Sequence, residues 1–152
     1  MIGGKSMGGW IDSTVADDAG VAGLVCLGYP FHPVGKPERL RIEHLRDLKT
    51  PALIVQGERD PFGSKSDVAA YELPETVQVH WLPDGDLGFE PRKASGRTEG
   101  ENREEGVKVV IDSKPGFDLN VGIAKIIESL VQDAREKARK ETEYGRSHAN
   151  HP

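Results

Sequence analysis

Runs of apolar residues alternate with amphipathic segments along the first ninety residues of the chain. The apolar runs lie at positions 22–27 (AGLVCL), 52–57 (ALIVQG) and 77–82 (VQVHWL), and glycine or proline closes each of them. Short apolar runs of this kind are typical of strands that are buried on both faces, as in a parallel sheet. The pattern therefore predicts three strands.

Helical spacing of apolar residues occurs between these runs. The predicted short helices cover residues 10–19, 38–48 and 64–71. The order strand, helix, strand, helix, strand provides connections long enough for parallel pairing. This order predicts an α/β layered architecture.

The part of the chain after Pro91 is less regular. Residues 92–106 are polar and charged, which is compatible with a frayed helix or a mobile loop, and residues 107–113 (VKVVIDS) indicate a strand. Residues 119–134 have the apolar spacing of an amphipathic helix. We expect one domain over residues 1–134 and a solvated tail over residues 135–152.

Composition and charge narrow the function classes. The 152 residues carry a formal net charge of −5, which argues against nucleic acid as a partner because such binding neutralises phosphates with Lys and Arg. The single Cys26 cannot form an internal disulfide, and no signal pattern or membrane-length apolar stretch is present. We expect a cytoplasmic protein that does not bind a membrane.

No metal or cofactor is predicted. The acidic loop at Asp84 and Asp86 fails the calcium-loop template, since its sixth position is Phe89 and its twelfth is Ser95.

A glycine-flanked serine lies almost at the first residue. The segment Gly4-Lys5-Ser6-Met7-Gly8 fits G-x-S-x-G, the sharp strand-to-helix turn that exposes a nucleophilic serine above a parallel sheet. Asp60 follows the second apolar run, in the chain order that serine hydrolases use for the acid. The alternative for Asp60 is a turn-forming aspartate before proline.

Four blocks in one order resemble a known family. They are GGKSMGG, GLVCLGYPFHPVGKPERLR, LKTPALIVQGERDPFG and VHWLPDGDLGF followed by PRKASGRT. Over roughly residues 3–105 the chain is similar to α/β-hydrolases of the dienelactone-hydrolase-like branch, which includes relatives of testis-expressed protein 30 and NSL-complex subunit 3. The resemblance implies a three-layer α/β sandwich with a mostly parallel sheet, Ser6 as nucleophile, Asp60 as acid and the backbone N–H of Met7 as an oxyanion donor.

The loop after the first strand is a candidate pocket wall. Tyr29, Phe31 and His32 lie at the carboxyl end of that strand, where open α/β sheets bind ligands, and the family has a similar segment there. His32 is also an alternative general base. His44 and His80 are expected to have structural roles.

The chain departs from the family pattern in two ways. Leu87 stands where the family has the catalytic histidine of a D-G-D-H stretch, and leucine cannot accept the proton of Ser6. The chain also begins where the nucleophile strand should be ending, so the domain is expected to be truncated on its N-terminal side. The strand at residues 21–27 would then lack a full neighbour, and an exposed sheet edge invites homo-oligomers.

The sequence therefore leads to two hypotheses. The first is a serine hydrolase of esterase type, acting on a small-molecule ester, acyl or lactone substrate, and weak or inactive because of Leu87. The alternative is a non-catalytic interaction module that retains the hydrolase scaffold.

Overall fold

The central element of the protein is a parallel four-stranded sheet. The computed structural model describes residues 1–113 together with residues 132, 136, 139 and 140. The strands run in the spatial order β1-β2-β3-β4, and all neighbours are parallel. They are β1 (Ile2–Lys5), β2 (Leu24–Leu27), β3 (Ala52–Gly57) and β4 (Val77–Leu82).

Helices cover both faces of this sheet. They are α1 (Met7–Val15), α2 (Glu43–Arg46), α3 (Lys65–Val68) and α4 (Glu99–Asp112), with a 3₁₀ turn at Lys93–Ser95. On one face, Leu24, Cys26 and Ile54 pack in one apolar cluster with residues from the α1, α2 and α3 regions. On the other face, Val25 and Val55 pack with residues of α4. The predicted three-layer α/β architecture is confirmed.

The burial of the two central strands explains their sequence pattern. Every residue of β2 and β3 is buried, because each strand has a neighbour on both sides and helices over both faces. Such strands have no solvent face and therefore read as continuous apolar runs. The bounds predicted for β3 and β4 are confirmed, and β2 begins two residues later than predicted.

The strand predicted at residues 107–113 is wrong, because residues 107–112 form the second half of α4. The helix begins at a capping box, in which Thr98 and Glu101 each accept from the other's backbone N–H. The buried residues Asn102, Gly106 and Val110 recur at every fourth position and face the sheet. Packing at helical spacing thus overrides the β-propensity of the valines. Residues 92–106 are the 3₁₀ turn and the first half of α4.

The open edge of the sheet is also not where the sequence predicted it. All four residues of β1 pair with β2, in the register Ile2↔Leu24 to Lys5↔Leu27, so β2 has neighbours on both sides. Among the described residues, β1 is the edge strand at this end of the sheet, because it pairs with β2 alone.

The C-terminal predictions fall mostly outside the described residues. This holds for the amphipathic helix at 119–134 and for the domain boundary at residue 134. The four described positions beyond residue 113 are helical and exposed. Within the described part of the chain, no helix has both the length and the apolar character needed to cross a bilayer.

Candidate active site

Ser6 occupies a sharp turn between the end of β1 and the start of α1. Its backbone has φ 51° and ψ −119°, a conformation that residues other than glycine rarely adopt. Its N–H donates to Leu27 O at 2.9 Å, which continues the pairing of β1 with β2 up to the turn. The serine is therefore held in a strained backbone conformation at the carboxyl end of the sheet, partly exposed.

Two glycines permit this turn because strand and helix approach each other closely. A Cβ at Gly4 would lie 2.6 Å from Gly8 C and 2.7 Å from Gly9 N. A Cβ at Gly9 would lie 3.0 Å from Gly4 O and 3.1 Å from the Cβ of Cys26. The glycines at these two positions thus have a steric function.

Ser6 lines an open cleft of about 580 Å³. The residues of its wall come from the end of β1, the loop after β4 and the helix α4: Lys5, Ser6, Asp86, Leu87, Gly88, Glu90, Glu99 and Arg103. Met7 contributes the first N–H of α1, and the first N–H groups of a helix have no intrahelical acceptor. A substrate oxygen beside Ser6 could accept from this N–H.

Asp60 lies in the turn that follows β3 and is fully buried. Its Oδ1 accepts from the N–H of Phe62 at 2.9 Å, whereas its Oδ2 has no hydrogen-bond partner among the described residues. Burial raises the pKa of the Asp60 carboxyl to about 6, and the nearby charge of Asp86 adds to the effect. A buried carboxylate oxygen without a donor is unusual, and a catalytic acid that has lost its histidine would have this environment.

Leu87 and the Oδ2 of Asp60 both lie close to Gly28. A Cβ at Gly28 would lie 3.7 Å from Asp60 Oδ2 and also 3.7 Å from Leu87 Cδ1. Leu87 therefore lies in the same region as the Asp60 carboxyl, and it also lines the cleft beside Ser6. A histidine at this position would line the cleft beside Ser6 and lie near Gly28, which the Asp60 carboxyl also approaches.

The loop that carries Leu87 is braced by its aspartates. Asp86 Oδ1 accepts from the N–H groups of Gly88 at 2.8 Å and Glu90 at 3.0 Å. Asp84 accepts from the side chain and backbone of Arg92, and these hydrogen bonds lower the pKa of its carboxyl to about 2. Both carboxylates therefore stabilise the loop.

The predicted pocket residues are not among those that line this cleft. Tyr29, Phe31 and His32 are buried, and the cleft beside Ser6 is lined by other residues. His32 contacts Pro33 O at 2.8 Å and Asp67 Oδ2 at 3.4 Å through its two ring nitrogens. A role of these three residues in a substrate pocket stays a prediction.

The other two described histidines tie elements together. His44 Nε2 lies 2.7 Å from Ser13 Oγ, which links α2 to α1. His80 is half-buried, and its Nε2 lies 2.8 Å from Glu105 Oε1, which links β4 to α4.

The cleft residues of α4 are not predicted by the sequence patterns. Glu99 and Arg103 form an ion pair one helical turn apart and lie on the wall of the cleft. The local signal for their helix is the capping box that precedes it, and the valines that follow obscure it. No group of three or more His, Cys, Asp or Glu side chains within the described ranges is arranged to hold a metal ion.

The match to known proteins agrees with this geometry. Residues 1–113, about three quarters of the chain, match the family model of the alpha/beta hydrolase domain. No solved structure matches the chain.

Proposed function

Because the chain belongs to the alpha/beta hydrolase family, we propose that it is a serine hydrolase of esterase type whose activity is weak. Ser6 is the nucleophile, the Met7 N–H an oxyanion donor and Asp60 the acid. The substrate class is a small ester, lactone or similar acyl compound, as in the dienelactone-hydrolase-like branch that the sequence resembles.

One observation carries the proposal. Ser6 stands at a strained strand-to-helix turn and lines a cleft that Leu87 also lines, while Leu87 and the buried, unpartnered Oδ2 of Asp60 both lie close to Gly28. Strained backbone conformations persist where the surrounding structure enforces them, and they cluster at functional sites. The nucleophile and the acid are thus supported by two independent features of the geometry.

Leu87 accounts for the weak activity. When Ser6 Oγ attacks an ester carbonyl, a C–O bond forms, the carbonyl oxygen becomes an oxyanion, and the hydroxyl proton must leave. A histidine would accept that proton and return it to the departing alkoxide, whereas leucine does neither. The proton must pass to solvent, and hydrolysis of the acyl-serine lacks the same base. Positioned bases typically contribute a factor of about 10² to 10⁴ in rate.

Restoring the base tests this proposal. We expect Leu87→His to raise the rate at which a fluorophosphonate labels Ser6 by about 10²-fold, because the imidazole would line the serine cleft in the same region as the Asp60 carboxyl. The increase should appear as the pH rises through the histidine pKa, since only neutral imidazole accepts a proton. Labelling rates are measured by mass spectrometry from pH 5 to pH 8.

Leu87→Ala is the matched control, because it opens the same space without supplying a base, and Ser6→Ala should abolish labelling. Equal labelling rates in Leu87→His, Leu87→Ala and the parent chain would show that residue 87 does not occupy the base position. If Ser6 is labelled in none of these three proteins at any pH, the result would instead favour the non-catalytic alternative.

A further inference from the structure

The loop that follows β4 begins and ends with strained residues. This loop covers residues 83–89, and three of its residues line the cleft beside Ser6, among them Leu87. Asp84 has φ 51° and Phe89 has φ 69°, both in the left-handed region that favours glycine. Strained residues of this kind persist where the surrounding structure enforces them. The contacts at the two ends of the loop therefore hold it in place.

One buried side chain of α4 joins both ends of this loop. Asn102 is fully buried, and its Nδ2 donates to Pro83 O at 3.1 Å and to Phe89 O at 2.9 Å. The first carbonyl precedes Asp84 and the second belongs to Phe89, so the two hydrogen bonds lie at the two strained positions. A Cβ at Gly85 would lie 3.3 Å from the same Nδ2, so the loop backbone passes close to this side chain.

The orientation of this amide is fixed by its neighbours. The Oδ1 of Asn102 accepts from Arg97 Nε. A guanidinium has donors only, so the atom that faces Arg97 is the oxygen, and the amide nitrogen faces the two loop carbonyls. Arg97 is paired with Glu105, whose other carboxylate oxygen lies 2.8 Å from His80 Nε2 on β4. Contacts from α4 and β4 therefore keep the amide in the orientation in which it donates to the loop.

We propose that Asn102 is a positioning residue, which holds this loop so that residue 87 lines the cleft beside Ser6. This role rests on the proposed function, since the position of residue 87 matters for chemistry only if Ser6 reacts. Asn102 is not among the residues of the cleft wall, whereas Glu99 and Arg103 of the same helix are. Helix α4 thus provides part of the wall directly and holds in place the loop that provides another part.

Asn102→Asp tests this role with the smallest change. The carboxylate still accepts from Arg97 but has no N–H to donate to the loop. We expect the amides of Gly88 and Phe89, whose acceptors lie on Asp86, to exchange about 10-fold faster, because the carbonyls at the loop ends lose their donor. Amide hydrogen exchange resolved by nuclear magnetic resonance is the measurement.

Val110→Ala is the matched control. Val110 is buried on the same side of α4 as Asn102 and packs in the apolar cluster on that face of the sheet. This variant loses packing but keeps both hydrogen bonds to the loop ends, so the loop amides should keep their protection relative to the amides of β3.

A second measurement follows residue 87 itself. In the Leu87→His background, we expect Asn102→Asp to reduce the gain in fluorophosphonate labelling of Ser6 by about 10-fold or more, because small misplacements of a catalytic group are costly. Val110→Ala should leave that gain in place. No gain in Leu87→His alone would count against the proposed function, and the exchange rates would still decide whether Asn102 holds the loop.

Loop amides that exchange equally slowly in Asn102→Asp and the parent chain would overturn the proposal. Equal acceleration in Val110→Ala would do the same, as would a labelling gain that survives Asn102→Asp. If Asn102→Asp does not fold, the parent chain provides the test. Both Nδ2 protons of Asn102 should then exchange as slowly as the loop amides, and rapid exchange would show that the two carbonyls are not their acceptors.

Discussion

The backbone of Ser6 is under strain that the rest of the fold must offset. A non-glycine residue in a sparsely populated conformation costs on the order of 1–3 kcal/mol, and Ser6 has φ 51° with ψ −119°. Hydrogen bonding at Ser6 N and the crossing of β1 and α1 hold the turn in place. Strain of this kind is compatible with a role for the serine in chemistry rather than in stability.

Substituting Ser6 separates these two roles. We expect Ser6→Gly to stabilise the protein by about 1 kcal/mol, because glycine adopts positive φ without strain. Ser6→Ala should bring no such gain, since alanine has the same Cβ, and both variants should lose fluorophosphonate labelling. Thermal unfolding followed by circular dichroism is the measurement, with an expected rise of a few degrees for Ser6→Gly alone. Equal melting temperatures for the two variants would mean that the turn is not strained.

The contact between β1 and α1 depends on glycines at specific positions rather than on glycine content. A Cβ at Gly4 would come within 2.7 Å of backbone atoms of both Gly8 and Gly9, whereas a Cβ at Gly8 itself would meet nothing within 4 Å. Gly4 and Gly8 are four residues apart in one motif, but of the two only Gly4 has a steric reason to be glycine.

We therefore expect opposite outcomes for two alanine substitutions. Gly4→Ala should destabilise the protein by about 2–3 kcal/mol, because the clash is with backbone that cannot rotate away. Gly8→Ala should stabilise it by roughly 0.5–1 kcal/mol, since alanine loses less entropy than glycine in a helix. Urea unfolding of both variants beside the parent chain checks the pair. A neutral Gly4→Ala would contradict the close approach of strand and helix.

Helix α4 shows how an element can reverse a local prediction. The valines and isoleucine of residues 107–111 indicate a strand by composition, yet they extend a helix that is capped at Thr98 and Glu101. A Cβ at Gly106 would lie 3.4 Å from Val55 Cγ1, so the helix lies close against the sheet. Residues 107–111 are therefore helical because the helix buries every fourth residue against the apolar surface of the sheet.

At the scale of the whole molecule, the buried Asp60 makes stability depend on pH. Its folded-state pKa of about 6 exceeds the usual 3.8, so the native state binds more protons than the unfolded state between these values. Stability from this group is therefore highest near pH 4, falls as the pH rises, and levels off above pH 6. The loss amounts to on the order of 3 kcal/mol.

Asp60→Asn should remove this loss. We expect its free energy of unfolding relative to the parent chain to rise by about 2–3 kcal/mol between pH 4 and pH 7. Carboxyls whose pKa is lowered in the fold, such as those of Asp17 and Asp67, contribute in the opposite direction but cancel in the comparison. Urea unfolding at four pH values from 4 to 7 measures the difference. A difference that is constant across this range would show that Asp60 is not desolvated in its charged form.

The sequence by itself determined the strands β2 to β4, the serine turn and the position of Asp60 after a buried strand. A strand that is buried on both faces must be apolar throughout. A turn in which a Cβ would clash with the backbone must contain glycine. Both constraints are therefore visible in consecutive residues of the sequence. The signals for β3, β4 and Ser6 are local in this sense. The family membership follows from the same local blocks.

Only the tertiary structure decided which residues share the cleft. Glu99 and Arg103 line the same cleft as Ser6 although they lie more than ninety positions away, and Tyr29 and His32, which follow β2, are buried. The approach of Leu87 and of the unpartnered Asp60 oxygen to the same glycine, Gly28, is likewise a property of three segments brought together. Sequence periodicity fixes which side of one element is buried, whereas the cleft depends on how several elements pack, because a side chain's neighbours come from distant parts of the chain.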